Sequence, residues 1–315
     1  MAGSSRKAIV AALVGNSLIA ITKFVAATLS GSAAMFSEGI HSLVDTGNQM
    51  LLLYGLKRAE KPPDEEFPFG HGKEIYFWSF VVAILIFGLG AGVSLYQGWH
   101  HLHNPSPMSR VLINYAVLGA AMLFEGGALF VAFREFNRSR GDRSILEAVS
   151  TGKDPSLFVV VFEDSAAMLG LVLALAGVVL FQITGDPVYD ALASMGIGVI
   201  LAFTAAWLAY ESKGLLIGES ASPEIVAAIR GIADSHHRLL ATNEVATLHM
   251  GPAHIIVNIS VDFVDGLDSA VVEDTVTDLN RAIKAIDPSI RRVFIEAEHT
   301  TDHLQDADSA QLTDG

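Results

Sequence analysis

Cysteine is absent from the chain, and with it go a disulfide framework, a thiolate metal site and a cysteine nucleophile. Any bound metal has to be held by imidazole and carboxylate groups. Charge is sparse: 17% of the 315 residues are Asp, Glu, Lys or Arg, against 51% hydrophobic. Basic residues are the scarcer sign, 20 against 34 acidic, and beyond residue 210 the ratio falls to 7 against 18. So acidic a chain is not expected to bind nucleic acid. No His-Glu-x-x-His helix and no Gly-rich phosphate loop occurs, which argues against an intramembrane metallohydrolase, and against any enzyme of that kind, and against direct ATP drive. Arg6 and Lys7 lead into the first apolar run and no small-residue cleavage pattern follows before the next, so this run is expected to be retained as a span.

Long apolar runs are what the chain has in quantity. Six of about twenty residues or more lie near 8–29, 33–56, 76–99, 111–133, 156–181 and 188–210, the pattern of a polytopic α-helical membrane protein with six transmembrane helices. Arg6 and Lys7, Lys57 to Lys73, Arg134 to Lys153 and Lys213 fall on one side, whereas the opposite linkers carry only Arg110. Both termini are therefore expected on the cytoplasmic side of a lipid bilayer, with a bacterial inner membrane the expected location. Tyr76, Phe77 and Trp78 open the third run and Trp99 closes it, as interfacial aromatics would.

After Glu211 the texture changes. Ser222-Pro223 reads as N-cap and first turn of a helix reaching about His237, residues 243–250 and 254–263 as a hairpin turning at Gly251-Pro252, Asp268 to Ile286 as a second helix, and Arg292 to Ile295 as a closing strand. The order α-β-β-α-β predicts a small cytoplasmic α+β domain with helices on one face of an antiparallel sheet. The expected division is a transmembrane domain over 1–212, the α+β domain over 213–298, and a disordered acidic tail over 299–315.

The candidate site begins in the second run. Glu38, His41 and Asp45 are spaced so that all three project from nearly one helical face. A charge facing lipid costs several kcal/mol, so this face should look into a bundle interior or wet cavity. The fifth run contains Glu163-Asp164 between apolar stretches. If the second and fifth spans pack together, one imidazole nitrogen and two or three carboxylate oxygens meet at one depth. Such a donor set suits Zn²⁺ and also admits Mn²⁺, Fe²⁺ or Co²⁺. Its groups bind protons when they do not bind metal, which is the chemistry of an antiporter. The alternative is a buried polar pair that only joins helices. Lys23, Asn16, Asn48 and Glu125 are further intramembrane polar residues; Lys23 is open to pairing with a carboxylate or snorkelling, and Glu125 to pairing with Lys23 or serving a proton path.

Ser37 to Asp45, the loop Phe67-Pro68-Phe69-Gly70-His71-Gly72-Lys73-Glu74, the fifth-span carboxylate and the α-β-β-α-β tail together resemble the cation diffusion facilitator family over about residues 6 to 298. Glu163-Asp164-Ser165-Ala166-Ala167 looks most like the branch that includes mitochondrial zinc transporters. The resemblance implies a homodimer that exports divalent metal from the cytoplasm in exchange for protons, with a ferredoxin-like, metallochaperone-like tail and no resident cofactor. It places the transport ligands on His41, Asp45 and Asp164. The fourth falls on Val160, which binds no metal, leaving Glu163, Glu38 or a water to complete the shell. Asp64 and His71 match positions of a second, loop site whose remaining ligand would be Phe67. Tail positions where relatives bind metal fall on Asn243 and Ile259, leaving His249, His254, Glu296, Glu298 and His299 as candidates beside a purely structural role. The readings carried forward are a zinc/proton antiporter, an exporter of Mn²⁺, Fe²⁺ or Co²⁺, and a non-transporting metal-binding scaffold.

Overall fold

The computed structural model describes residues 2–105, 108–140 and 155–305. Arg143, Lys153 and the 306–315 part of the acidic tail lie outside the described residues. The chain forms two compact units, Met1–Arg58 with Glu74–Lys213 and Ala59–Lys73 with Gly214–Gly315.

The first unit is a set of long rods: α1 (Ala2–Ser30), α2 (Ala33–Ala59), a third made of α3 (Glu74–Leu85), a π-helical segment (Ile86–Ala91) and α4 (Gly92–His103), then α5 (Val111–Arg140), α6 (Pro155–Thr184) and α7 (Val188–Ile217). Gly31, at φ +75°, ends α1 and returns its amide to Ala27 O, a left-handed stop that suits glycine. The four rods Glu74–His103, Val111–Arg138, Val159–Thr184 and Val188–Ile217 are long and apolar enough to cross a membrane, and Asn16–Ser30 is a shorter apolar stretch of α1. Falling below that hydropathy, α2 buries Ser37, Glu38, His41, Ser42, Thr46 and Asn48. That polar content, unfavourable for lipid, is affordable only because the residues face protein. Leu112, Leu123, Ile183 and Phe203 are exposed on the other rods, as apolar side chains facing lipid would be.

Close rod-to-rod approach rests on small residues. A Cβ at Gly98 would meet the Ala191 carbonyl and Met195, one at Gly198 would meet Leu95, and one at Gly177 would meet Ala193. These contacts pack α4 and α6 onto α7. The π-helical turn falls on Ile86-Phe87-Gly88-Leu89-Gly90-Ala91, where two glycines weaken the regular ladder.

The second unit has α8 (Pro223–Asp234), β1 (Leu239–Gly251), β2 (His254–Phe263), α9 (Ser269–Lys284) and β3 (Ile290–Ala297). Ser222 caps α8 by accepting from the Ile225 amide, with Pro223 at its first turn. Ile255, Val257, Ile259 and Val261 alternate inward from β2 and pack with Ile229, Leu279 and Ile283 of the helices. The element order is as expected, but the sheet is mixed: β1 and β2 are antiparallel, while β2 and β3 are parallel. The physical reason is α9, whose crossover returns the chain to the same end of the sheet before β3 starts.

The loop 59–73 belongs to this unit, although the sequence reading places it with the spans. Phe69 meets Phe294 edge-on at 6.3 Å, Arg292 lies over the Phe69 ring, and Lys73 donates to the carbonyls of Leu216 and Ile217. A Cβ at Gly72 would overlap the Met250 backbone. Disorder expected from His299 onward is also corrected: residues 300–305 are helical, held to the sheet by bonds described below.

Candidate metal centre

A stripe of α2 carries Glu38, His41, Asp45 and Asn48 at helical spacings of three and four. Glu38 and Asn48 are fully buried and His41 is 1% exposed, whereas the Asp45 side chain keeps 15% of its surface. Asp45 opens onto a cavity of about 640 Å³ whose walls include Ser42 of α2, Glu125 of α5, and Val160, Glu163 and Asp164 of α6. Carboxylates from three rods therefore face one space inside the first unit. Asn16, left open by the sequence, also lines it.

His41 does not line the cavity. Its Nδ1 stands 3.3 Å from Asp45 Oδ1, and neither ring nitrogen has a well-formed hydrogen bond. Glu163 is held from behind: the Asn48 side-chain amide donates to its Oε1. Asp164, the next residue, is turned by about 100° around the same helix. Among the described residues no three His, Asp or Glu side chains stand close enough to share one ion. The predicted residues are thus gathered around one cavity without being closed on a cargo. Val160 presents an apolar wall at the position where the resemblance expects a ligand.

Behind this wall lies an ion-pair cluster. Lys23 of α1 donates to Glu38 Oε2 at 2.9 Å, to Ser42 Oγ at 2.8 Å and to Glu125 Oε1 at 2.7 Å. Glu38 Oε1 has no polar partner and rests where a Cβ on Gly170 of α6 would fall. At the far end of α2, Asp190 of α7 accepts from Ser32 Oγ at 2.6 Å and from the Ala33 amide, which fixes the start of the helix. Ser37 and Ser194 bond at 2.7 Å.

The loop pair Asp64 and His71 is joined at 2.9 Å, with Asp64 53% exposed. The His71 ring, then the Phe67 amide, hold the Asp64 carboxyl below its ordinary range. In the tail, Asn243 donates to Ser260 Oγ and to the Glu298 carbonyl, and the Ser260 hydroxyl donates to Glu298 Oε2. His303 bonds Glu298 at 2.8 Å, His299 lies 3.3 Å from Asp262, and the Thr300 amide and hydroxyl both donate to Asp262. His249 is buried beside the Gly251 carbonyl. The side chains of His254 and Glu296 join no such network among the bonds described here. At the end of α4, His101 bonds Gln97 and His103 bonds the Trp99 carbonyl.

Two bonds carry information that residue spacing lacks. Lys23 to Glu125 spans 102 residues and Asn48 to Glu163 spans 115. The signal in each case was a polar residue inside an apolar run, which marks a need for a partner without naming it.

Comparison with known proteins bears on this geometry. The cation efflux transmembrane domain matches residues 9–217. Over 259 residues the chain is 36% identical to proton-coupled zinc antiporter SLC30A9, mitochondrial, of Mus musculus, covering 82% of this chain and 46% of that protein. It is 34% identical over 218 residues to metal tolerance protein C4 of Arabidopsis thaliana, covering 69% and 48%, and 26% identical over 288 residues to magnetosome protein MamB of Magnetospira sp. (strain QH-2), covering 89% and 87%. The chain spans about half the length of the first two. By the span and position of the domain match, which takes in all the rods and their cavity, the chain belongs to the cation efflux family of membrane transporters, the cation diffusion facilitators.

Proposed function

We propose that this protein is a proton-coupled antiporter that exports divalent metal, Zn²⁺ foremost, from the cytoplasm by alternating access through the cavity between α2, α5 and α6. The observation that carries the reading is the convergence of Asp45 from one rod with Glu163 and Asp164 from another on a single cavity within the membrane unit. In the loaded state Asp45 and Asp164 ligate the ion, His41 swings its ring in from beside Asp45, and Glu163 leaves Asn48 to complete or support the shell. Asp64 and His71 contribute at most a two-donor contact on the loop. The His and carboxylate donors bind metal only without their protons, so loading on one face releases protons and unloading on the other takes them up. Zinc is favoured by the nitrogen-and-oxygen donor set and by the printed activity of the mouse relative.

In this reading α1 and α2 complete six spans, both termini are cytoplasmic, the protein works as a homodimer, and the membrane is the inner membrane of a bacterial cell. The mouse relative is named mitochondrial, and fractionation of the native cell decides the location. A second cargo class has its own support. The cavity wall presents carboxylates and no imidazole, an oxygen-rich surface that suits Mn²⁺ or Fe²⁺.

The test is flux of the purified full chain in liposomes against an opposing pH gradient, with Zn²⁺, Mn²⁺, Fe²⁺ and Co²⁺ in competition. Zinc entry that consumes the pH gradient, and its loss in Asp45→Ala and Asp164→Ala, is the expected result. Undiminished flux in both variants overturns the site, and no flux of any of the four ions overturns transport.

A further inference from the structure

The Lys23 ammonium sits fully buried where three rods meet, and its three N–H donors are all used, on Glu38, Ser42 and Glu125. Two of those acceptors, Ser42 and Glu125, also line the transport cavity. Both carboxylates are only half satisfied: Glu38 Oε1 and Glu125 Oε2 are buried with no hydrogen bond. A bond whose only task was to tie α1 to α2 and α5 would be served by one carboxylate. Here two anions share a single cation, so the cage of oxygens around Nζ keeps an excess of negative charge. It is chemically a cation site, filled by a side chain of the protein itself.

Resting on the transport reading above, we propose that Lys23 is the charge-setting and specificity-determining residue of the cavity, a tethered cation that keeps Glu38 and Glu125 from competing with Asp45 and Asp164 for the cargo. With Lys23 in place, Glu38 and Glu125 together count as one negative charge, and the deep field of the cavity centres on the α2 and α6 carboxylates. Without it, two uncompensated carboxylates face the same low-dielectric space, where an incoming cation replaces the missing ammonium. Metal then enters readily and leaves slowly. Ser42 supplies the third oxygen of the cage in either case.

The experiment compares wild type, Lys23→Met, and the pairs Lys23→Met/Glu125→Gln and Lys23→Met/Glu38→Gln in the full chain. Two quantities are read: Zn²⁺ bound per chain at equilibrium, and the concentration dependence of Zn²⁺ flux in liposomes. Lys23→Met is expected to bind more zinc per chain than wild type and to lower the half-saturating concentration by at least about fivefold while its maximal rate falls. Each pair carries the wild-type net charge, and each is expected to return both readouts toward wild type although it lacks more native hydrogen bonds than the single variant. A merely structural lysine predicts the reverse order, the pairs being no better or worse. Equal zinc binding in wild type and Lys23→Met, or pairs as impaired as the single variant, overturns the inference. Should Lys23→Met not accumulate as a monodisperse protein, accumulation of the pairs supports charge balance, and failure of both pairs overturns it. Wild-type flux separately judges the transport reading, while bound zinc judges the role of Lys23.

Discussion

The two units treat buried polar groups in opposite ways. Along the α2 stripe and its neighbours, Glu38 Oε1, both nitrogens of His41, Asp45 Oδ1, Asn48 Oδ1 and Glu125 Oε2 are buried without hydrogen bonds. In the second unit, Asn243, Ser260, Asp262, Glu298, Thr300 and His303 form a closed set in which each group meets a partner. Unpaired buried polar atoms cost roughly 1–3 kcal/mol each, so their concentration at one place needs a reason. A cargo that supplies the missing partner is one; fold stability is not. The difference teaches where to look for exchangeable ligands in this protein and where to look for glue.

Substitutions that remove groups from each set sharpen the contrast. Asp45→Ala or Asp164→Ala is expected to reduce zinc flux by at least about a hundredfold, while thermal unfolding in detergent changes by less than about 1 kcal/mol, since an unpaired charge is removed and no bond is broken. Asn243→Ala should do the opposite. It strands the Ser260, Thr300 and Glu298 groups it bonds and should lower the stability of the second unit by about 1–3 kcal/mol in hydrogen exchange, with zinc bound to the first unit unchanged. If either substitution shows the other's pattern, the contrast fails.

Gly170→Ala tests packing on the side of the unpaired groups. The new methyl collides with the Glu38 carboxylate and is expected to cost about 1–3 kcal/mol in thermal unfolding. Asn48→Ala releases Glu163 Oε1 and should shift the half-saturating zinc concentration by about tenfold with little effect on stability.

Acid provides the mildest probe. The Thr300 amide holds the Asp262 carboxyl below its ordinary range, and the Ser260 hydroxyl does the same for Glu298. A carboxyl depressed in the folded state stabilises fully above its unfolded value near 4 and loses that contribution as pH falls through the folded value. Exchange protection of residues 299–305, corrected for intrinsic rate, should therefore stay level from pH 7 to 5 and drop below about pH 4. Loss already at pH 6 would assign the clip to the histidines instead.

Much of this was legible in the sequence where a single element sufficed. Charged groups inside the apolar runs marked α2 and α6, because lipid tolerates them only under protection, and the α-β-β-α-β order followed from period changes and caps. Pairings between distant elements were not legible. Periodicity orients Lys23 and Glu125 on their own helices but does not say which rods adjoin, and it cannot tell that Asn48 holds Glu163. The parallel β2 and β3 pairing was misread because a strand's sequence does not record its direction. The 300–305 turn was misread because its Thr, His and Asp residues look like solvated tail until Asp262 and Glu298 are placed beneath them.

The central claim is that one cation is held between α2 and α6. X-ray absorption at the zinc edge, on the full chain loaded with Zn²⁺ to equilibrium, tests it most directly. The account predicts a nitrogen and oxygen shell near about 2.0–2.1 Å that disappears in Asp45→Ala/Asp164→Ala. The same shell and the same bound zinc in that double variant would contradict it.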